Sequence, residues 1–250
     1  MQRKEDSLLR SLKITNFPSL DYACIEALNS LCTNLTFCGS DYKRIMLTSC
    51  RGGEGKSFLS MNIARTMAGL GKKVAVLDAD LRRSNITAAY GLKFENGSDY
   101  GITHYLAGKC EMNDILYVTN ISGLCLVPIG RTVANPLPLL NSVRFSRLLN
   151  ELSELFDYVF VDAPPVGVVI DAAEIAKSCD GTLFVVKYNE IRRRELLEAK
   201  QQIERTGCAI LGSVINLVSF DSYSRSRYYY KSYYHYSNST PTQKKRYRPA

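Results

Sequence analysis

The segment Ser49-Cys50-Arg51-Gly52-Gly53-Glu54-Gly55-Lys56-Ser57 constrains the fold of this chain more than any other stretch. It follows an apolar run of strand length, Arg44–Ser49. It opens a helix-like stretch, Ser57–Leu70, that stops at Gly71 as a helix with a glycine C-cap would. Further apolar runs recur at Val74–Asp78, Leu124–Ile129, Tyr158–Asp162, Thr182–Val186 and Ile210–Asn216. Helical patterns fall at Phe145–Leu155 and Arg192–Thr206. Strands alternating with helices predict an α/β fold, a mostly parallel sheet with helices on both faces. The runs are apolar throughout rather than alternating, which suits strands buried on both sides. The main domain is expected over 43–220. Residues 1–42 read as an N-terminal extension with one helix, about Asp21–Leu35, and Ala89–Gly108 as loop and short helix over the sheet's edge.

Length and charge narrow the function classes. The chain has 250 residues, enough for one α/β domain with a full core plus a tail. Its formal net charge is +8. Seven Lys or Arg against one Asp put +6 of that into residues 221–250, so the body is nearly balanced. A strongly basic body built to grip nucleic acid is not indicated. No apolar run approaches the roughly 20 residues of a membrane span, and the opening Met-Gln-Arg-Lys-Glu-Asp lacks the apolar core of a secretory leader. The eight cysteines are scattered without a C-x-x-C pair, as in a reducing cytosol. The last thirty residues carry eight of the sixteen tyrosines and no Val, Ile, Leu, Met or Phe. That composition predicts a disordered tail.

The glycine-rich segment carries the strongest chemical signal. Glycines at 52, 53 and 55 let backbone N–H groups turn inward around phosphate oxygens, and the helix N-terminus adds positive potential. Lys56 is placed to reach the β/γ-phosphates of a nucleotide and the Ser57 hydroxyl to bind Mg²⁺. Cys50 replaces the first glycine of the usual P-loop pattern. Two acidic strand ends reinforce the reading. Val76-Leu77-Asp78-Ala79-Asp80 ends one strand, and alternation puts Asp78 and Asp80 on one side. Tyr158–Asp162 ends another, and carboxylates at the carboxyl ends of parallel strands face the ligand crevice. Asp78, Asp80 and Asp162 together suit Mg²⁺ beside a phosphate. Asp171, ahead of Ala172-Ala173-Glu174, reads instead as a helix N-cap.

With these motifs in order, the chain resembles the bacterial protein-tyrosine kinases of capsular and exopolysaccharide gene clusters. The resemblance rests on Gly53–Ser57, on Asp78-Ala79-Asp80-Leu81-Arg82, on Asp162-Ala163-Pro164-Pro165 and on the tyrosine-rich C-terminus. It implies a P-loop NTPase-like fold, ATP and Mg²⁺ as cofactors, and a soluble cytoplasmic kinase recruited and activated by a membrane adaptor. Gly52, Gly53, Glu54, Gly55, Lys56, Ser57 and Phe58 would form the nucleotide loop, with Asn216 on the adenine side. Lys56 would stabilise the transferring phosphoryl group. Ser57 and Asp162 would position Mg²⁺ and Asp80 would support it. Asp78, also placed near the metal, would be general base for a tyrosine hydroxyl. Arg82 would help hold substrate or a neighbouring subunit. The candidate phosphorylation sites are Tyr223, Tyr228, Tyr229, Tyr230, Tyr233, Tyr234 and Tyr236. A cognate tyrosine phosphatase would reverse the reaction.

The match has departures. The family's ring-assembly motif Glu-x-x-Arg-x-x-Arg appears as Glu26 to Cys32, with Asn29 and Cys32 at the arginine positions. A homo-oligomer stays possible, but an octameric ring is not carried over. Phe58 stands where a second Ser or Thr is common. Two other readings stay open: a nucleotide switch of the kind that positions chromosomes or division sites, with Arg51 at the signature-lysine position, and an impaired kinase acting as scaffold. The tail's basic and aromatic residues also suit single-stranded nucleic acid or an acidic membrane surface.

Overall fold

Strands β1 (Arg10–Ile14), β2 (Arg44–Ser49), β3 (Val74–Asp78), β4 (Leu92–Phe94), β5 (Tyr117–Thr119), β6 (Leu124–Val127), β7 (Tyr158–Asp162), β8 (Gly181–Lys187) and β9 (Ala209–Asn216) build one sheet. Their order is β4-β1-β5-β6-β3-β7-β2-β8-β9. The structure is a computed structural model, and it describes residues 10–95 and 99–218. The pairs β1·β4 and β5·β6 are antiparallel; β1·β5 and every pair from β6 to β9 are parallel. The described residues up to Asn216 form one compact unit. A second unit starts at Leu217, and all but its first two residues lie outside the described part. The seven candidate phosphorylation tyrosines therefore lie outside the described residues.

The apolar runs of the inner strands become strands because both of their faces find cover, while the edge strand β9 is only partly covered. Alternate residues point to opposite sides. Met46, Ala75, Leu77, Val159 and Val161 join one core, while Ile45, Leu47, Val74, Val76 and Phe160 join the other. On the second face lie α1 (Tyr22–Phe37) and α2 (Lys56–Gly69), through Leu28, Cys32 and Leu35 and through Leu59, Ile63 and Met67. On the first face lie α4 (Ile102–Leu106), α6 (Val143–Leu155), α7 (Asp171–Ala176) and α8 (Arg193–Glu204). Two short helices, α3 (Ile86–Ala89) and α5 (Leu137–Leu140), complete the set.

Helix ends follow local chemistry. The Asp21 side chain caps α1 by accepting from the Cys24 N–H at 2.8 Å. Helix α2 stops at Gly69, and Gly71 beyond it takes a φ of 81°, the left-handed conformation a glycine adopts without a Cβ clash. The N-terminal extension supplies more than a helix. Its strand β1 pairs between β4 and β5, inside the sheet. Cys32 points into the core, where an arginine would need a partner or a route out. Asn29 is exposed and donates to Glu26. Beside the C-terminal half of α2 lies a groove of about 690 Å³, lined by Phe17, Leu20, Ile25, Leu28, Arg65 and Leu70 among others. It is separate from the acidic strand ends described next.

Candidate active site

The glycine-rich loop joins β2 to α2. Gly53 and Gly55 take φ of 80° and 91°, so the backbone turns where side chains resist. Gly55 is the N-cap of α2 and offers no side chain to its N–H groups, which leaves the helix start open to an anion. Lys56 follows, only 8% exposed, and its Nζ donates to Ser49 Oγ at 3.0 Å. Burial pulls its pKa down; the charges of Asp162, Asp80 and Glu54 oppose that and hold the ammonium.

Glu54 and Asn216 act on the loop from behind. The buried Glu54 carboxylate accepts from the backbone N–H groups of Arg51 and, at 3.0 Å, Lys187. It therefore braces the loop against the end of β8. Asn216, at the end of β9, donates from Nδ2 to the Glu54 carbonyl at 2.9 Å. A Cβ at Gly55 would lie 2.1 Å from that Nδ2. Gly55→Ala thus meets both a left-handed φ and a collision, and is expected to weaken nucleotide binding at least tenfold while α1 and the sheet stay folded. Calorimetric titration with a nucleotide checks this; unchanged affinity would rule out the close-approach argument. Phe58 packs partly buried against the core and supplies no hydroxyl to the loop. Gly52 is exposed and makes no close approach.

The sheet order brings the acids to this loop. β7 lies between β2 and β3, and Asp78 is the register partner of Asp162. Asp162 is 2% exposed. Its Oδ2 accepts from Ser57 Oγ at 2.5 Å and its Oδ1 from Ser60 Oγ at 3.2 Å. Burial raises its pKa to about 6, against the opposing pull of the Ser57 hydrogen bond and Lys56. Asp78 is fully buried. Its Oδ2 accepts from Ser84 Oγ, while Oδ1 has no hydrogen-bond partner among the described residues. Burial, then the neighbouring Asp162 charge, push its pKa well above the carboxylate range. Asp80 does not follow strand alternation, because β3 ends at Asp78. A turn carries it instead, with Ala79 N–H donating to the Asp162 carbonyl at 2.9 Å and Asp80 Oδ1 accepting from Arg83 N–H at 3.0 Å.

Arg82 is occupied within its own chain. It donates from Nε to Asp171 Oδ2 at 2.5 Å, from Nη2 to Oδ1 at 3.0 Å and from Nη1 to the Ala134 carbonyl at 2.9 Å. The expectation that Asp171 caps a helix is corrected. Ile170 is the N-cap of α7, and the 1%-exposed Asp171 side chain turns to Arg82. Ser60, Ser84 and Asp171 went unnoticed as site residues. Ser60 carried a signal, since it lies three residues after Ser57 on the same side of a helix. Ser84 carried none because it sits in a turn without a helix or strand period, and Asp171 none because its partner lies 89 residues away in the chain.

The described residues contain no group of three or more His, Cys, Asp or Glu side chains arranged around a metal position. Ser57 and Asp162 already point oxygens at each other, and the orphan oxygen of Asp78 is a further donor. One or two carboxylates with phosphate and water oxygens suit Mg²⁺, so these residues fit the ion.

The AAA-domain family profile matches residues 42–191. Tyrosine-protein kinase CpsD of Streptococcus agalactiae serotype Ia is 37% identical over 214 residues, spanning 86% of this chain and 87% of its own. This chain belongs to the bacterial protein-tyrosine kinase family. The kinase domain of the Escherichia coli tyrosine kinase ETK superposes with a TM-score of 0.70 at 31% identity, over 78% of this chain and 77% of that one. The septum site-determining protein MinD of Pyrococcus horikoshii, solved with Mg-ADP, reaches 0.57 at 20% identity over 69% of each chain, a likeness of fold alone. The fold implies nucleotide binding. No helix among the described residues is long and apolar enough to cross a membrane.

Proposed function

We propose that this chain is an ATP- and Mg²⁺-dependent, autophosphorylating protein-tyrosine kinase that regulates capsular or extracellular polysaccharide synthesis and export. The observation that carries this reading is the convergence of Lys56, the Ser57–Asp162 pair and the buried Asp78 at the head of α2. Lys56 and the N–H groups of the loop hold the phosphates and offset charge that spreads over the transferring group. Ser57 and Asp162 would hold Mg²⁺, which would supply charge neutralisation when bound. The tyrosine oxygen bonds to the γ-phosphorus, the bond to ADP breaks, and Asp78 takes the phenolic proton. A tyrosine hydroxyl near pKa 10 needs such help to lose its proton.

The substrate is the chain's own tyrosine cluster, Tyr223 to Tyr236, presented to a neighbouring copy. A membrane adaptor recruits the kinase from the cytoplasm to the inner face of the plasma membrane and activates it, and a tyrosine phosphatase resets it. An anti-phosphotyrosine blot after incubation with Mg·ATP tests this. The wild-type chain should label, and a chain lacking residues 221–250 should not. No label, even with an activating adaptor segment present, would sink the kinase reading. ATP hydrolysis without label would favour the switch.

A further inference from the structure

We infer that Asp171 is a positioning residue for phosphoryl transfer, acting through Arg82 to set the turn that carries the catalytic acids. Asp171 is a nearly solvent-free carboxylate at the start of a six-residue helix, and both of its oxygens accept from one guanidinium. A bidentate Arg–carboxylate pair fixes direction as well as distance. The third arm of Arg82 reaches the Ala134 carbonyl, so one side chain joins three segments: the turn after β3, the loop near 134 and the start of α7.

The turn so held is short and does chemical work at both ends. Asp80 and the Arg83 N–H close on each other, Ser84 holds Asp78, and Leu81 accepts from the Val133 N–H at 2.8 Å. Arg82 sits between these contacts, and its hydrogen bonds among the described residues go to Asp171 and Ala134. Its own pKa is raised by the Asp171 hydrogen bonds, consistent with a guanidinium committed to that partner. Removing the Asp171 charge frees the guanidinium, and the turn loses its tie to the sheet's far layer. The nucleotide loop does not depend on this tie, because Glu54, Lys187 and Asn216 brace it separately. The effect should therefore fall on turnover rather than on nucleotide affinity.

The activity readout rests on the kinase reading; a second readout, in nucleotide-free protein, does not. In Asp171→Asn, amide hydrogen exchange at Val133 and Arg83 should quicken about tenfold or more, with the amides of α2 unchanged. With Mg·ATP, kcat should fall on the order of 10²-fold while the KM for ATP stays within about twofold. Arg82→Lys, which keeps the charge but loses the fork, should give the same pattern, and the double variant should be no worse than the worse single one. Unchanged exchange at both amides, or multiplying losses in the double variant, would overturn the inference. If Asp171→Asn fails to fold, Arg82→Lys carries the same two measurements. If the wild type makes no phosphotyrosine, the kinase reading fails. Exchange and ATP hydrolysis then still decide the positioning role.

Discussion

Replacing Lys56 with Met is expected to slow phosphoryl transfer by about 10³-fold or more while leaving the chain folded. The side chain is nearly buried, and its Nζ is held by Ser49 Oγ at the base of the loop. Met fills similar space without the charge. Ser49 keeps a bond of its own, since its hydroxyl donates to the Arg51 carbonyl at 2.6 Å. The loop's glycine turns and the Glu54 brace are also untouched. What is lost is one positive charge in a low-dielectric setting, where it offsets the negative charge of the transferring group far better than in water. Rates of phosphotyrosine formation and a thermal melt measure the two sides. A variant within tenfold of wild type, or one that melts far lower, would contradict the role assigned to Lys56.

Asp162→Asn should both disable the site and stabilise the ligand-free protein, with a defined pH dependence. The Asp162 carboxyl is raised on folding from 3.8 to about 6 by burial. An acid with a raised native pKa binds its proton more tightly in the folded chain. At about pH 3 and below it is protonated in both states and costs little. As pH rises from about 4 through about 6, the native state loses stability, and above that the cost is complete. A rise of this size corresponds to roughly 3 kcal/mol. Asn removes it. In buffer free of metal and nucleotide, the variant should melt higher than wild type at pH 7.5, with the gain shrinking to near nothing by about pH 3. Its affinity for Mg·ATP should fall about 10-fold or more, since Ser57 loses its charged partner. A stability gain that is flat across this pH range would show that the buried charge is not its source.

Much of this architecture was legible in the chain. Six apolar runs became β2, β3, β6, β7, β8 and β9, with ends shifted by two residues or fewer. Strands rich in apolar residues leave a clear run even where, as in the edge strand β9, one face is partly open, and β7 matches Tyr158–Asp162 end for end. β1, β4 and β5 left no such trace. Two of them have three residues, and β1 mixes Arg, Ser and Lys with Leu and Ile because only part of it is covered. At the site, Lys56, Ser57 and Asp162 came together as their motifs implied. Glu54 and Asn216 lie at the loop as well, where both brace its backbone. Asp171 was misread because an Asp before Ala-Ala-Glu looks like a cap in one dimension. Its partner lies 89 residues away in the chain.

By itself the sequence determined that a strand turns on glycines into a helix opening with Lys-Ser, that two further strands end in aspartate, and that the tail gathers tyrosines it has no core to bury. These are local facts, set by backbone freedom, side-chain chemistry and the absence of apolar residues. Only the tertiary structure decided that β3, β7 and β2 lie side by side, so that Asp78, Asp162 and Ser57 face one another. It also decided that Asp78 is sealed from water and that Arg82 is spent on Asp171. The physical reason is that an apolar run announces burial but not its neighbour. Backbone groups can pair with those of any strand, and strand order emerges only when the helices pack and both cores close.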